Sequence, residues 1–160
     1  MQSLLDQQID YYRARAQEYD EWFYRQGRYV RGEDHTRTWE ADASSVREQL
    51  LGTHAPQMLE MACGTGIWTQ ELIKIGDKVT ALDASPEMIN INRAKLQSDK
   101  VTYHQANLFE WEPDQQYDMV FFGFWLSHVP AGKLSDFLKT VHKALKPDGR
   151  LFLIDSRRVE

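Results

Sequence analysis

From Gln57 to Asp155 the chain alternates short apolar runs with helical stripes, and nothing else in it constrains the fold as strongly. The runs are "QMLEM" (57–61), "KVTALD" (78–83), "VTYHQ" (101–105), "YDMVFF" (117–122) and "RLFLID" (150–155). Between the first two, a "GTG" turn opens a helix that stops at Gly76; between the next two, "SPEM" starts a helix with Ser85 as N-cap and Pro86 at its first position. Leu134, Phe137, Leu138, Val141 and Leu145 form a further stripe, followed by a "KPDG" turn at 146–149. Alternation of this kind predicts an α/β fold, a doubly wound and mostly parallel sheet covered on both faces. In such sheets ligands bind where the strands end, so "EMACGTG", Asp83, "ANLF" and "GFWLSH" converge on one crevice.

Residues 1–52 read differently. Leu5, Ile9, Tyr12, Ala16, Tyr19 and Phe23 mark one amphipathic helix, and Trp39, Ala43, Val46 and Leu50 a second that ends at Gly52. "GRYVRGEDHTR" (27–37) between them reads as an exposed loop. No linker divides the chain, so 160 residues are expected to form one domain, with 1–52 as a helical cover and 57–155 as the α/β core.

Two glycines one residue apart, Gly64 and Gly66, permit a tight turn and close approach of backbone to a ligand. A phosphate-binding P-loop is excluded, because no Gly-Lys-Ser/Thr comes after them. A dinucleotide site is nearer, since Asp83 lies 19 residues beyond Gly64, but the third glycine position holds the branched Thr69. An NAD(P)-dependent oxidoreductase therefore stands as the weaker alternative.

"LEMACGTG" resembles motif I of the class I S-adenosylmethionine-dependent methyltransferases, an acid, three residues, then G-x-G. "VTALDAS" is similar to their second motif and "YHQANLFEWEP" to the third, with Asn107 where aspartate is common. "QYDMVFFGFWLSHVP" is similar to the fourth, and "LKPDGRLFLID" to the family's next segment. These stretches run from Met58 to Asp155 in the family's order, and "FFGFWLSHVP" is also similar to a bacterial group acting on small molecules. The resemblance implies a Rossmann-like transferase that uses S-adenosylmethionine, releases S-adenosylhomocysteine and methylates a small molecule. A binding module without catalysis, or a partner subunit, is the alternative from another class.

The cofactor's chemistry assigns the residues. A ribose diol offers two donors, which a carboxylate such as Asp83 can accept. Ala84, Met88 and Leu108 are expected to flank the adenine and Asn107 to bond its amino group; Ala62, Gly64 and Gly66 supply the turn. The resemblance implies that Glu60 orders that turn or approaches the amino-acid end. The backbone of Phe122, Gly123 and Phe124 is expected to line the sulfur side. His128 is the candidate catalytic base, unless it only caps or packs the loop before Pro130. Tyr11, Tyr19 and Trp22 are expected to form an aromatic lid, as the resemblance implies for an N-terminal helix of this type, and Trp125 to line the acceptor pocket or serve as a core aromatic. Cys63 reads as a small packing residue. His35, His54, His104 and His142 have no ligand spacing, so no metal is expected.

A net charge of −5 with interspersed signs leaves no footprint for nucleic acid or an anionic membrane. The longest apolar run, Met119 to Leu126, is too short to span a bilayer, and the N-terminus lacks the pattern of a signal peptide. With one cysteine, a cytoplasmic protein is the default. The family normally continues beyond a fifth strand, so the sheet is expected to be truncated there. Its apolar edge, Leu151 to Ile154, with Arg150, Asp155, Arg157 and Arg158 nearby, is then expected to pair with a second copy.

Overall fold

A computed structural model describes residues 3–156, apart from the side chains of Leu5, Asp6, Gln8, Ile9 and Tyr12. The stripe positions Leu5, Ile9 and Tyr12 and the terminal Arg157 and Arg158 thus lie outside the described residues. The chain forms two compact units, residues 1–53 and 54–160.

The first unit is a pair of helices, α1 (Leu4–Phe23) and α2 (Glu33–Leu51). Glycine at 32 and the acidic pair Glu33 and Asp34 start α2 earlier than the apolar stripe alone suggests, so the expected loop is shorter, with a 3-10 turn at Gly27–Tyr29. Aromatic packing holds the pair. The Trp39 indole donates to the Phe23 carbonyl at 2.6 Å, and the Arg25 guanidinium lies 3.6 Å from the Trp39 ring centroid and 5.1 Å from that of Trp22.

The second unit is a five-stranded parallel sheet: β1 (Gln57–Met61), β2 (Lys78–Asp83), β3 (Val101–Gln105), β4 (Tyr117–Gly123) and β5 (Leu145–Ile154), in the order β3-β2-β1-β4-β5. Order reverses at β1, which pairs with both β2 and β4. The helices are α3 (Thr69–Ile75), α4 (Pro86–Leu96) and α5 (Ala131–Ala144). The central strands are apolar on both faces, as a doubly wound sheet requires. Phe122 points to Phe137 of α5, centroids 5.6 Å apart, while its neighbour Phe121 meets Trp68 at 5.9 Å and stacks on Phe152. Ser85 caps α4 as expected, accepting from the Met88 N–H at 3.2 Å.

Three details differ from the sequence reading. The helix after the glycine turn begins only at Thr69, because residues 64–68 stay in the turn. Leu145 belongs to β5 and Leu138 is exposed, so Phe137, Val141 and Ala144 form the buried stripe of α5. "KPDG" is an irregularity within β5, whose register jumps from Tyr117–Leu145 to Met119–Arg150. Nor is the sheet covered everywhere. The β3-to-β4 connection carries no helix, which leaves an open groove of about 530 Å³ along Thr80, Leu82, Thr102 and His104.

The irregularity in β5 leaves no room at Gly149. A Cβ there would stand 3.0 Å from the carbonyl oxygens of both Lys146 and Tyr117. Gly149→Ala should lower stability by about 1–3 kcal/mol in urea unfolding, whereas Gly132→Ala, with nothing within 4 Å, should leave it unchanged or raise it.

Candidate functional site

All five strands run the same way, so their carboxyl ends share one rim of the sheet. The turn after β1 is built on left-handed backbone: φ is +56° at Ala62, +52° at Gly64 and +95° at Gly66. Glycine takes that region freely, whereas Ala62 is held there at a cost of order 1 kcal/mol. Phe124, just past β4, is a second non-glycine residue in that region, at φ +54°, its N–H bonded to the Ile154 carbonyl at 2.7 Å. Two of the four non-glycine residues with positive φ among the described residues, the others being Arg25 and Gln97, thus sit at the ends of two adjacent central strands.

Asp83 ties this rim together. Its Oδ2 accepts from the Gly64 N–H and its Oδ1 from the Ser85 N–H, each at 2.9 Å. Each oxygen keeps acceptor capacity for a further donor. Burial raises the Asp83 pKa, while the N–H groups of Ser85, Gly64 and Ala84 lower it. Ala84 is exposed and Met88 half-buried beside it. Gly123 closes the other side: a Cβ there would lie 3.1 Å from the Trp68 ring, so β4 ends close against that indole.

Other candidates lie elsewhere. Glu60 is fully buried below the turn, where it accepts from the Thr69 hydroxyl at 2.5 Å (Oε1) and 3.1 Å (Oε2). Of its two expected roles this geometry fits ordering of the turn. Leu108 and Phe122 are core residues in one cluster with Leu59, Phe137 and Val141, so neither side chain is free to flank a ligand. Phe122 and Gly123 end β4 itself and do not lie beyond it. Asn107 is exposed, and its Oδ1 accepts from the Phe109 N–H at 3.0 Å, which shapes the turn after β3. Trp125 packs on Phe109 and Phe137 and borders the core cluster; its indole N–H is buried without a partner. His128 is exposed in a 3-10 turn (Leu126–His128) that Asp155 braces, accepting from the Ser127 N–H at 2.8 Å and its hydroxyl at 3.0 Å. Tyr11, Tyr19 and Trp22 all belong to α1; Tyr11 is exposed, and the other two rings pack 5.7 Å apart. Cys63 is buried against Ala81 and Ile89, and burial pushes its thiol pKa up, as suits a packing residue. No cluster of three or more His, Cys, Asp or Glu suited to a metal occurs among the described residues.

Asn92 is a buried polar residue at this site that spacing did not single out, and Thr69, noted only as a departure from the glycine pattern, is another whose role the spacing did not show. Asn92 left a trace, a polar residue one turn after Ile89 on the inward face of α4.

A parallel sheet whose order reverses at a glycine turn, with an acid ending the next strand, defines a nucleotide-cofactor fold of the Rossmann type. Residues 58–149 match the family model described as a methyltransferase domain, and the chain belongs to that family. A demethylmenaquinone methyltransferase of Chlorobaculum parvum is 34% identical over 116 residues, which are 71% of this chain and 46% of that protein. The chain spans about half the length of the curated relatives it matches. Among solved structures, a DhpI–SAH complex superposes with a TM-score of 0.75 at 38% identity, over 94% of this chain and 68% of that one. A DhpI–SAM–HEP complex gives 0.73 at 38%, over 97% and 68%. These matches support neither a nicotinamide-dependent oxidoreductase nor a non-catalytic module.

Burial raises the Glu60 pKa from its ordinary 4.5 to about 8, opposed by the Thr69 hydrogen bond and reinforced by the nearby Asp83 charge. Between those values the folded chain holds a proton that the unfolded chain has lost. Stability should therefore fall as pH rises from about 4.5 to 8, by up to about 1.4 kcal/mol per pH unit. Asp83 shifts the same way, so the comparison with Glu60→Gln isolates Glu60: the mutant's urea-unfolding profile should be flatter between pH 5 and 8.

Proposed function

We propose that this chain binds S-adenosylmethionine at the carboxyl rim of β1, β2 and β4 and transfers its methyl group to a small-molecule acceptor. The observation that carries this reading is Asp83, a half-buried carboxylate anchored by backbone on two sides and still able to accept from a ribose diol. The glycine turn beside it brings bare backbone to the same place. Ala84 and Met88 are suited to flank the adenine, with Asn107 contributing its amide N–H₂ or its second oxygen lone pair. Gly64, Gly66 and the Gly123–Phe124 backbone would hold the amino-acid and sulfur end.

When bound, the cofactor supplies a methyl group on a cationic sulfur, already a good leaving group. The protein's part is then to align the acceptor and exclude water. His128, exposed on the braced turn after β4, is proposed as the base that takes a proton from an acceptor hydroxyl or amine. Tyr11, Tyr19 and Trp22 of the N-terminal unit are proposed as its lid and substrate-facing aromatics, and residues 1–52 as the cover of a single methyltransferase domain. Trp125 is proposed to line the acceptor pocket. No described helix is long and apolar enough to cross a membrane, and a cytoplasmic location fits a small-molecule acceptor.

Calorimetric titration with S-adenosylmethionine and S-adenosylhomocysteine tests the reading. The wild type should bind both, and Asp83→Ala should bind at least about tenfold more weakly, as expected for loss of hydrogen bonds to a charged group. Undiminished affinity in folded Asp83→Ala would sink the ribose assignment.

Self-association through β5 is proposed as well. Among the described residues β5 is an edge of the sheet, with Leu151 and Leu153 about two-fifths exposed. Sedimentation over a concentration series should show a dimer, and a species that stays monomeric would refute the pairing.

A further inference from the structure

We propose that Asn92 is a positioning residue for the cofactor turn, a buried clamp that α4 presses onto residues 63–69, with Tyr103 of β3 as its latch. The proposal rests on the reading of that turn as the cofactor site.

Asn92 has no exposed surface, and its amide is fully used. Its Nδ2 donates to the Thr69 hydroxyl at 3.0 Å, the Gly64 carbonyl at 3.3 Å and, more weakly, the Cys63 carbonyl at 3.4 Å. Its Oδ1 lies 2.6 Å from the Tyr103 hydroxyl. Backbone carbonyls only accept, so the two on one side of the amide fix which end is nitrogen. That fixes the direction on the β3 side. The Tyr103 hydroxyl must donate to Oδ1. The Thr69 oxygen accepts from Nδ2 and its hydroxyl donates to Glu60. One chain of donors therefore runs from β3 through α4 and the start of α3 to the end of β1, and its middle member holds the carbonyls of the turn itself.

Steric fit makes the clamp tight. A Cβ at Gly66 would stand 2.9 Å from Asn92 Oδ1, so the turn rests directly against the amide. An apolar side chain at 92 could fill the volume. It would take this partner from the Tyr103 hydroxyl and the Gly64 carbonyl, leave Thr69 only Glu60 and the Cys63 carbonyl only the Gly66 N–H, and free the turn to shift.

Two variants and two readouts test this. Tyr103→Phe removes only the hydroxyl, and Asn92→Ala removes the clamp. In ligand-free protein, amide exchange at Gly64 and Gly66 should accelerate about 3–10-fold in Tyr103→Phe, the equivalent of one hydrogen bond, and more in Asn92→Ala. Exchange at Val120, in the middle of β4, reports global stability and should change less. Affinity for S-adenosylhomocysteine should fall in parallel, and Tyr103→Phe should add nothing in the Asn92→Ala background. A merely structural Asn92 would speed Val120 as much as Gly66 and leave affinity unchanged, and that result overturns the proposal; Tyr103→Phe alone can deliver it if Asn92→Ala does not fold. If the turn loosens as expected but the wild type does not bind S-adenosylhomocysteine, the clamp stands and the cofactor reading fails.

Discussion

The Gly64 N–H donates to the Asp83 carboxylate and, beside it, the Cys63 N–H to the Leu82 carbonyl, each at 2.9 Å, and the first of these ties the turn after β1 to a side chain at the end of β2. The geometry of the rim depends on it. The turn is left-handed at three of five positions between 62 and 66, and such a segment does not stay in one shape without an outside anchor. Asp83 provides the anchor from above and the Asn92–Thr69–Glu60 chain from below. The parallel sheet supplies what neither can. It brings β1, β2 and β4 to the same end, so Gly123 meets Trp68 without further machinery.

The core of the fold was legible because it is written in local terms. The bounds of β3 and the capped start of α4 coincide with the expected ones, since alternation and Ser-Pro punctuation act over a few residues. Non-local choices were harder to read. Leu138 keeps the helical spacing of α5, yet the stripe turns and buries Ala144. "KPDG" has turn chemistry, yet pairing with β4 resumes so soon that it becomes an irregularity in one strand. The missing helix between β3 and β4 leaves no trace except a short connection, and its consequence, an open sheet face, appears only when the strands are placed side by side.

The candidate site was legible where strand ends and turn chemistry fix a position, and illegible where a side chain's partner lies on another element. Asp83 and the glycines stand at positions any doubly wound sheet would use. Leu108 and Phe122 belong to segments that end at the same rim, but a strand sends alternate side chains to opposite faces, and the core takes Phe122. Asn107 is polar because a turn must be closed, which its Oδ1 does. Thr69 looked like a departure from a glycine pattern. In place it is a donor to Glu60, and the branched side chain that argued against a dinucleotide is the one that the buried carboxyl needs.

The acids Glu60 and Asp83 also bear on which cofactor the rim favours. Both have raised pKa values, chiefly from burial, and the Asp83 charge further disfavours ionisation of Glu60. Neither "ACGTGIWT" nor "DAS" contains a lysine or arginine to balance them. A pyrophosphate placed on this turn would bring two more negative charges to a region already short of positive ones. A cofactor with a cationic sulfur, an ammonium group and a single carboxylate brings net positive charge to the same place, where the Asp83 carboxylate attracts it. The rim thus offers a backbone-anchored carboxylate and bare turn backbone with no lysine or arginine in either segment, a setting that suits a cofactor carrying positive charge.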